Sequence, residues 1–313
     1  MADLFSVITD KAVLDASQVE IWQDGVILAA SEMTNFMPGS PLISQYALAD
    51  KSIHTFIKFA QLDGGGALTD GVEVTSDAVV DTEANLTLAE YGNVITTTAL
   101  GHVVTGGRLN PASAELAGKD MGTTIDKVAI QVLEASTNEV TVNASGEAST
   151  TASDIITPAF VQKMYNKLRR ASIQPLTGGT YVAVAHPDVM YDLKAATAAN
   201  SWTQVQQYTD AMSVFKNEVG MYGGFRWVES ANVSINADAG SSAVDTYHTS
   251  FLGYNALGLA MSSSQPLHGT LVTGTDKLER FVHIGWYGIL SYGIIDASAC
   301  WILTSASTVG SNT

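Results

Sequence analysis

Apolar residues recur at every fourth position between residues 156 and 168, and this spacing predicts an amphipathic helix near the middle of the chain. Its apolar face consists of Ile156, Phe160, Met164 and Leu168. Pro158 suits the first helical turn, where a missing N–H is no loss, and Thr157 is the expected N-cap. We expect the helix to end at Arg170, with its basic residues near that end, where they oppose the helix dipole.

A second pattern follows directly after this helix. The stretch Tyr181–Ala185 is short and almost entirely apolar, which predicts a buried β-strand. Pro187 and Asp188 then predict the start of another helix, whose apolar residues include Val189 and Leu193. A helix–strand–helix unit around one buried strand is therefore the predicted centre of the fold.

An extended hairpin is predicted upstream of this unit. Residues 53–59 alternate between apolar and polar, as in a half-exposed strand, and residues 86–88 and 94–104 also favour strands. The glycines at 64–66 interrupt the pattern and indicate a flexible tip. Because two strands bury too little apolar surface to be stable alone, we expect the hairpin to lie on a neighbouring subunit.

The remaining segments carry one strong helical pattern and two strand patterns. The longest helix is expected from Leu109 to about Ala135, because apolar residues recur there at helical spacing. Residues 281–295 predict a long β segment, and residues 299–304 predict a last strand. Residues 1–50 show little sustained periodicity, and residues 202–215 show only a weak helical pattern.

Short motifs occur along the chain in a characteristic order. They are Leu68-Thr-Asp-Gly-Val72, Glu90-Tyr-Gly92, Ile156-Thr-Pro158, Lys167-Leu-Arg-Arg170, Gly179-Thr-Tyr-Val-Ala-Val-Ala-His-Pro-Asp188, Tyr191-Asp-Leu193, Glu218-Val-Gly220, Gly224-Phe-Arg-Trp-Val-Glu-Ser230 and Gly285-Trp286. This ordered set resembles the major capsid proteins of tailed bacteriophages, and most closely the coat-protein family named after phage N-four. The resemblance extends from about Lys51 to Ile295.

The resemblance implies an α+β fold of the Hong Kong 97 type. Such a fold has a central A domain, a discontinuous peripheral domain with a long spine helix, an extended β-hairpin loop and an N-terminal arm. On this basis we divide the chain into the arm at 1–50, the extended loop at 51–98, the first part of the peripheral domain at 99–153, the A domain at 154–275 and the C-terminal strands of the peripheral domain at 276–313.

The same resemblance implies a structural role. Many copies would assemble in the host bacterial cytoplasm into hexamers and pentamers of an icosahedral shell that encloses double-stranded DNA. Scaffold, portal and decoration proteins are candidate partners, and contacts with the packaged DNA would be non-specific. The implied place of the protein is the virion capsid, with no catalytic residue, cofactor, metal or membrane association expected.

The charged residues are unevenly distributed, although the net charge is −16. Residues 59–107 contain seven acids and no Lys or Arg, whereas residues 155–230 contain seven basic residues against five acids. An acidic chain argues against a sequence-specific nucleic-acid binder, but a container wall needs no basic face. We expect acidic hairpins to contact basic surface on an adjoining subunit, and the candidate interface residues are Lys163, Lys167, Arg169, Arg170, Arg280, Asp70, Glu73 and Asp77.

A search for catalytic chemistry gives weak candidates only. No two of the six histidines have metal-ligand spacing, and His186 is expected to cap a helix rather than act as a base. No nucleophile elbow or phosphate-binding loop occurs, and Met1 is not followed by the pattern of a secretory signal. Three alternatives remain open: an encapsulin-like compartment, an enzyme with a non-local active site, and a β-rich adhesion protein.

Some relatives of this fold lock their shells with a bond from a lysine in the extended loop to a neighbouring asparagine. Residues 59–107 contain no lysine, and Lys51 and Lys58 lie at the base of the predicted hairpin. The single cysteine, Cys300, lies in an apolar run and is expected to be a buried small side chain. The sequence therefore predicts a shell that is held together without covalent cross-links.

Overall fold

The computed structural model of the protein describes residues 34–49, 51–60, 62, 65–74, 76–106, 109–176, 179–196, 218–273, 277–278 and 280–310. Most of the predicted arm and the weak helix predicted at 202–215 lie outside these residues. Within the described ranges the helices are α1 Ala99–Val104, α2 Leu109–Glu134, α3 Pro158–Arg170 and α4 Pro187–Ala195.

The strands form two large sheets and a separate hairpin. They are β1 Gln45–Ala49, β2 Ile53–Phe59, β3 Asp81–Thr87, β4 Ala89–Thr98, β5 Glu139–Thr141, β6 Tyr181–Ala185, β7 Glu218–Tyr222, β8 Phe225–Glu229, β9 Ile235–Asn236, β10 Thr246–Leu252, β11 Leu257–Ser262, β12 His268–Thr273, β13 Phe281–Ile294 and β14 Cys300–Ser305.

The first sheet is built around the long strand β13. Its order is β1-β11-β13-β12, and β4 also pairs with β13, antiparallel from Phe281↔Thr98 to Leu290↔Ala89. The second sheet has the order β5-β14-β10-β6-β8-β7, with β9 against β10. The hairpin consists of β2 and β3 alone. Strand β13 confirms the predicted long β segment and β14 confirms the predicted last strand, and the two belong to different sheets.

The long helix α2 packs against both sheets. Its buried side chains follow helical spacing and include Met121, Ile125, Ala129 and Leu133. They share one core cluster with Trp286 and Leu290 of the first sheet and with Val182 of the second. The predicted helix from Leu109 to about Ala135 is thus confirmed, and it is the element that joins the two sheets into one body.

The central helix–strand–helix unit is also as predicted, with two local differences. All five residues of β6 are buried: Tyr181, Ala183 and Ala185 pack with α3 and α4, whereas Val182 and Val184 share the core cluster of α2. On α3, Val161 is fully buried whereas Phe160 is only partly buried, so the buried face is turned slightly from the predicted one. Thr157 occupies the N-cap position in an extended conformation, but its side chain makes no capping hydrogen bond.

The strand predicted at 94–104 is wrong in its second half. Strand β4 ends at Thr98, and the next six residues form α1. The physical reason is a cap: the Thr98 hydroxyl accepts a hydrogen bond from the Gly101 amide at 3.1 Å, which starts a helix. Among the described residues, no helix is both long enough and apolar enough to cross a membrane.

Candidate assembly surfaces

The β2–β3 hairpin projects from the body with a long loop. The two strands pair from Ile53↔Thr87 to Phe59↔Asp81, and the last bond joins the Ala60 amide to the Val80 carbonyl at 2.8 Å. Beyond this point the described residues between 62 and 80, hereafter the hairpin loop, are all exposed. They include large apolar side chains: Leu68 is 74% exposed, Val79 71% and Val72 65%. An apolar surface of this kind usually marks a contact with another protein.

The paired strands of the hairpin, unlike the hairpin loop, are held firmly by the body. Phe56 and Leu86 are buried in a small cluster with Ala260 and Ile295. Leu86 fits over Gly293 so closely that a Cβ at position 293 would lie 2.7 Å from its side chain. Lys58 also forms an ion pair with the nearly buried Asp296. The paired strands therefore lie on the body almost as far as the last pair, Phe59↔Asp81, and only the hairpin loop lies beyond these contacts.

The three acidic candidates lie in this exposed loop. Asp70, Glu73 and Asp77 are all exposed, and none forms an ion pair with a residue that the structure describes. Among the described residues, no ion pair joins them to a basic candidate of the same chain. Any pairing between the two sets is accordingly a matter for neighbouring subunits.

Three of the four basic candidates on α3 share one face. Lys163, Lys167 and Arg170 line a shallow surface groove, together with Ala159, Gln162 and Asn166. The Lys167 Nζ lies 4.1 Å from the centre of the Trp301 ring, and the Lys163 Nζ lies 5.4 Å from that of Phe160. This groove is polar and cationic, and its lysines rest on aromatic rings of their own chain.

The fourth, Arg169, turns away from that groove. Its guanidinium lies 5.7 Å from the centre of the Tyr165 ring. Burial raises the pKa of the Tyr181 hydroxyl, and hydrogen bonding to Arg169 acts in the opposite direction. Arg169 therefore belongs to the packing of the second sheet as well as to the exposed surface.

The remaining basic candidate, Arg280, lies beside α1. Its carbonyl accepts a hydrogen bond from the Ala99 amide at 2.8 Å, where β13 begins. Leu100, Val103 and Val104 of α1 are each 73–76% exposed. We call Arg280, Leu100, Val103 and Val104 the α1 patch. Sequence reasoning missed its apolar part because residues 94–104 favoured a strand, although the capping Thr98 and the i, i+3, i+4 spacing were a usable signal.

Two residues that sequence analysis considered for chemistry have structural roles. His186 is the N-cap of α4, where its Nδ1 accepts from the Asp188 amide at 3.3 Å. Burial lowers the pKa of His186 despite the nearby Asp188 carboxylate, which favours the neutral ring that this cap requires. Cys300 is fully buried, and burial raises the pKa of its thiol to about 12, so it is a poor nucleophile.

In the described part of the chain, one group of side chains could hold a metal ion. Glu139, Glu147 and His248 bring their ligand atoms within 4.8 Å of one another from three separate elements, which sequence spacing could not reveal. The carboxylates, however, are already bound by protein donors. Glu147 accepts hydrogen bonds from Thr246 and Asn236 at 2.5 and 2.8 Å, and Glu139 accepts from a threonine of β14. The three residues therefore belong to a hydrogen-bonded network that joins β5, the segment around Glu147 and β10.

A sequence-profile comparison matches residues 114–275, which contain α3, β6 and the groove described above, to the family described as phage capsid protein. The chain belongs to this family. The match covers more than half of the 313 residues and confirms the resemblance drawn from the ordered motifs. The search of curated proteins found no match.

Solved capsid structures show the same fold. The capsid of Ralstonia phage GP4 has a TM-score of 0.73 at 14% identity, over 88% of this chain and 90% of that one. The capsid of cyanophage Pam1 has a TM-score of 0.65 at 15% identity, over 90% of this chain and 92% of that one. The head of Helicobacter pylori bacteriophage KHP40 has a TM-score of 0.63 at 13% identity, over 83% of this chain and 87% of that one. The predicted α+β fold of the Hong Kong 97 type is confirmed.

Proposed function

We propose that this capsid protein is the major subunit of an icosahedral shell built from hexamers and pentamers around double-stranded DNA. The observation that carries the proposal is the hairpin loop, which exposes Leu68, Val72 and Val79 beyond the reach of its own core. In an isolated subunit these side chains would stay in water. In a closed shell every subunit has neighbours that can cover them, so burial of the hairpin loop favours assembly.

The α1 patch is the surface that best fits a neighbour's hairpin loop. It offers three exposed apolar side chains on a helix that begins at the backbone of the exposed Arg280, whereas the hairpin loop offers exposed apolar side chains between Asp70, Glu73 and Asp77. The groove on α3 has cations but no comparable apolar surface. We therefore assign the hairpin loop to the α1 patch and the α3 groove to another acidic contact between subunits.

The contents of the particle distinguish a phage shell from an encapsulin-like compartment. We expect only non-specific contacts with packaged DNA, because the chain carries a net charge of −16. Assembly in the bacterial cytoplasm, with scaffold, portal or decoration proteins as partners, completes the proposal. A role as an enzyme has little support, since Cys300 and His186 are engaged in packing and capping.

The test is to purify particles from infected cells, treat them with nuclease and identify what remains inside. Protected double-stranded DNA of uniform length is the expected result. Particles that protect a stoichiometric enzyme and no DNA would instead identify a compartment shell and contradict the proposal. Heat-opened particles treated with the same nuclease are the control, because their DNA must be lost.

A further inference from the structure

Asp126 is a fully buried carboxylate on the long helix α2. It has no exposed surface, and its neighbour Ile125 belongs to the apolar core cluster that joins the two sheets. Burying a carboxylate is costly unless its oxygens are well supplied with hydrogen-bond donors. The identity of these donors therefore shows what Asp126 holds together.

Asp126 accepts four hydrogen bonds, two from each of two distant segments. Its Oδ1 accepts from the Thr34 hydroxyl at 3.0 Å and from the Asn35 amide at 2.9 Å. Its Oδ2 accepts from the Ser230 hydroxyl and the Asn232 side chain, both at 2.9 Å. The first pair lies directly after residues 1–33, and the second lies directly after strand β8 of the second sheet.

These four neutral donors stabilise the buried carboxylate of Asp126. Asp126 forms no ion pair with any residue in the described part of the chain. The neighbouring Tyr292 hydroxyl donates to the Phe36 carbonyl at 2.5 Å, and burial together with the charge of Asp126 raises the pKa of Tyr292. The charge thus depends on neutral donors, and half of them come from each segment.

The loop at 230–232 also continues the second sheet. The Ser230 amide donates to the Ala185 carbonyl at 3.1 Å, which extends the pairing of β6 with β8. A movement of Ser230 would therefore reach β6, the buried strand at the centre of that sheet. Loss of either donor pair leaves a buried, half-supplied carboxylate, and such a group destabilises whatever still holds it.

We propose that Asp126 couples the segment Thr34–Phe36 to the loop at 230–232, so that displacing either one loosens the other. The device is reciprocal, because a coupling free energy acts equally in both directions. It does not depend on what the shell contains or on which surface receives the hairpin loop.

The test is hydrogen exchange measured by mass spectrometry on the full-length assembled protein. Thr34→Val removes a donor to Asp126, together with the acceptor of the Phe36 amide, with little change of shape. We expect it to speed exchange at the Ser230 and Val233 amides about tenfold, within the usual range of coupling between sites. Ser230→Ala should in turn speed exchange at Asn35, and Thr34→Ser should restore the wild-type rates.

Thr97→Val is the matched control. Thr97 is also a nearly buried threonine, but its hydroxyl donates to Asn110 and to the Val282 carbonyl. It should leave exchange at Ser230 unchanged. Faster exchange confined to the mutated segment, in either the Thr34 or the Ser230 variant, would overturn the proposal, as would an equal effect from Thr97→Val. Because the two variants test opposite directions, either one that folds decides the question.

Discussion

At the scale of single residues, hydrogen bonds decide how much a partly buried ionisable group contributes to the stability of the subunit. Glu147 shows this most clearly. Burial opposes its ionisation, but hydrogen bonds from Thr246 and Asn236 and the nearby His248 outweigh that effect and lower the pKa of the carboxyl below its ordinary value of 4.5. Since the folded pKa is lowered, the contribution to stability is present above pH 4.5 and is lost as the pH falls through the folded pKa.

Glu147→Gln should therefore destabilise the protein in a pH-dependent way. At pH 7 we expect a loss of about 1 kcal/mol, because charged hydrogen bonds become neutral, with a fall in Tm of about 1–2 °C. The difference from the wild type should shrink below pH 4.5. Calorimetry across pH measures it, with the exposed Glu83→Gln as control. A difference that grows toward acid pH would contradict this assignment.

A second prediction at this scale concerns assembly and the basic face of α3. Lys163→Glu with Lys167→Glu should weaken assembly at low salt, by about 1 kcal/mol per subunit, because exposed ion pairs contribute little individually. High salt should reduce the difference from wild type. Light scattering during assembly measures the effect, and Lys127→Glu, at an exposed lysine of α2, is the control. Equal assembly of both variants at every ionic strength would remove this groove from the interface.

At the scale of elements, local patterns were predictable and distant pairings were not. Helix α3 and strand β6 follow from spacing within a few residues, so the sequence predicted both. The pairing of β4 with β13 joins residues nearly two hundred positions apart, and no local pattern encodes it. For the same reason sequence reasoning missed the metal-like group at Glu139, Glu147 and His248, and the four donors around Asp126. The domain boundaries and the interface residues stay predictions.

The short helix α1 supplies the sharpest test at this scale. Leu100→Ser with Val103→Ser should leave the subunit folded, because both side chains are largely exposed. Assembly should nevertheless fall at least tenfold, as burying two such side chains contributes about 2–3 kcal/mol per contact. Leu116→Ser, at a 59% exposed position on α2, is the matched control and should assemble normally. Normal assembly of the double variant would show that the hairpin loop docks elsewhere.

At the scale of the whole molecule, the structure favours a shell without covalent links. Lys58 is held on the body by Asp296, although it lies near the loop end of β2, and the thiol of Cys300 is fully buried. Boiling mature particles in detergent without reductant should release a single band near 33.0 kDa. The measurement is gel electrophoresis, with a reduced sample as control. A ladder of multimers in the unreduced lane would show that the hairpin or its chemistry has been misjudged.

The central claim is that the subunit closes into a shell whose hairpin loops lie on neighbouring subunits. Electron cryomicroscopy of the purified particles tests it most directly. We predict closed icosahedral particles in which residues 65–74 of one subunit cover Leu100, Val103 and Val104 of the next. A purified protein that stays monomeric, or a shell in which the hairpin loop folds back on its own subunit, would contradict the claim.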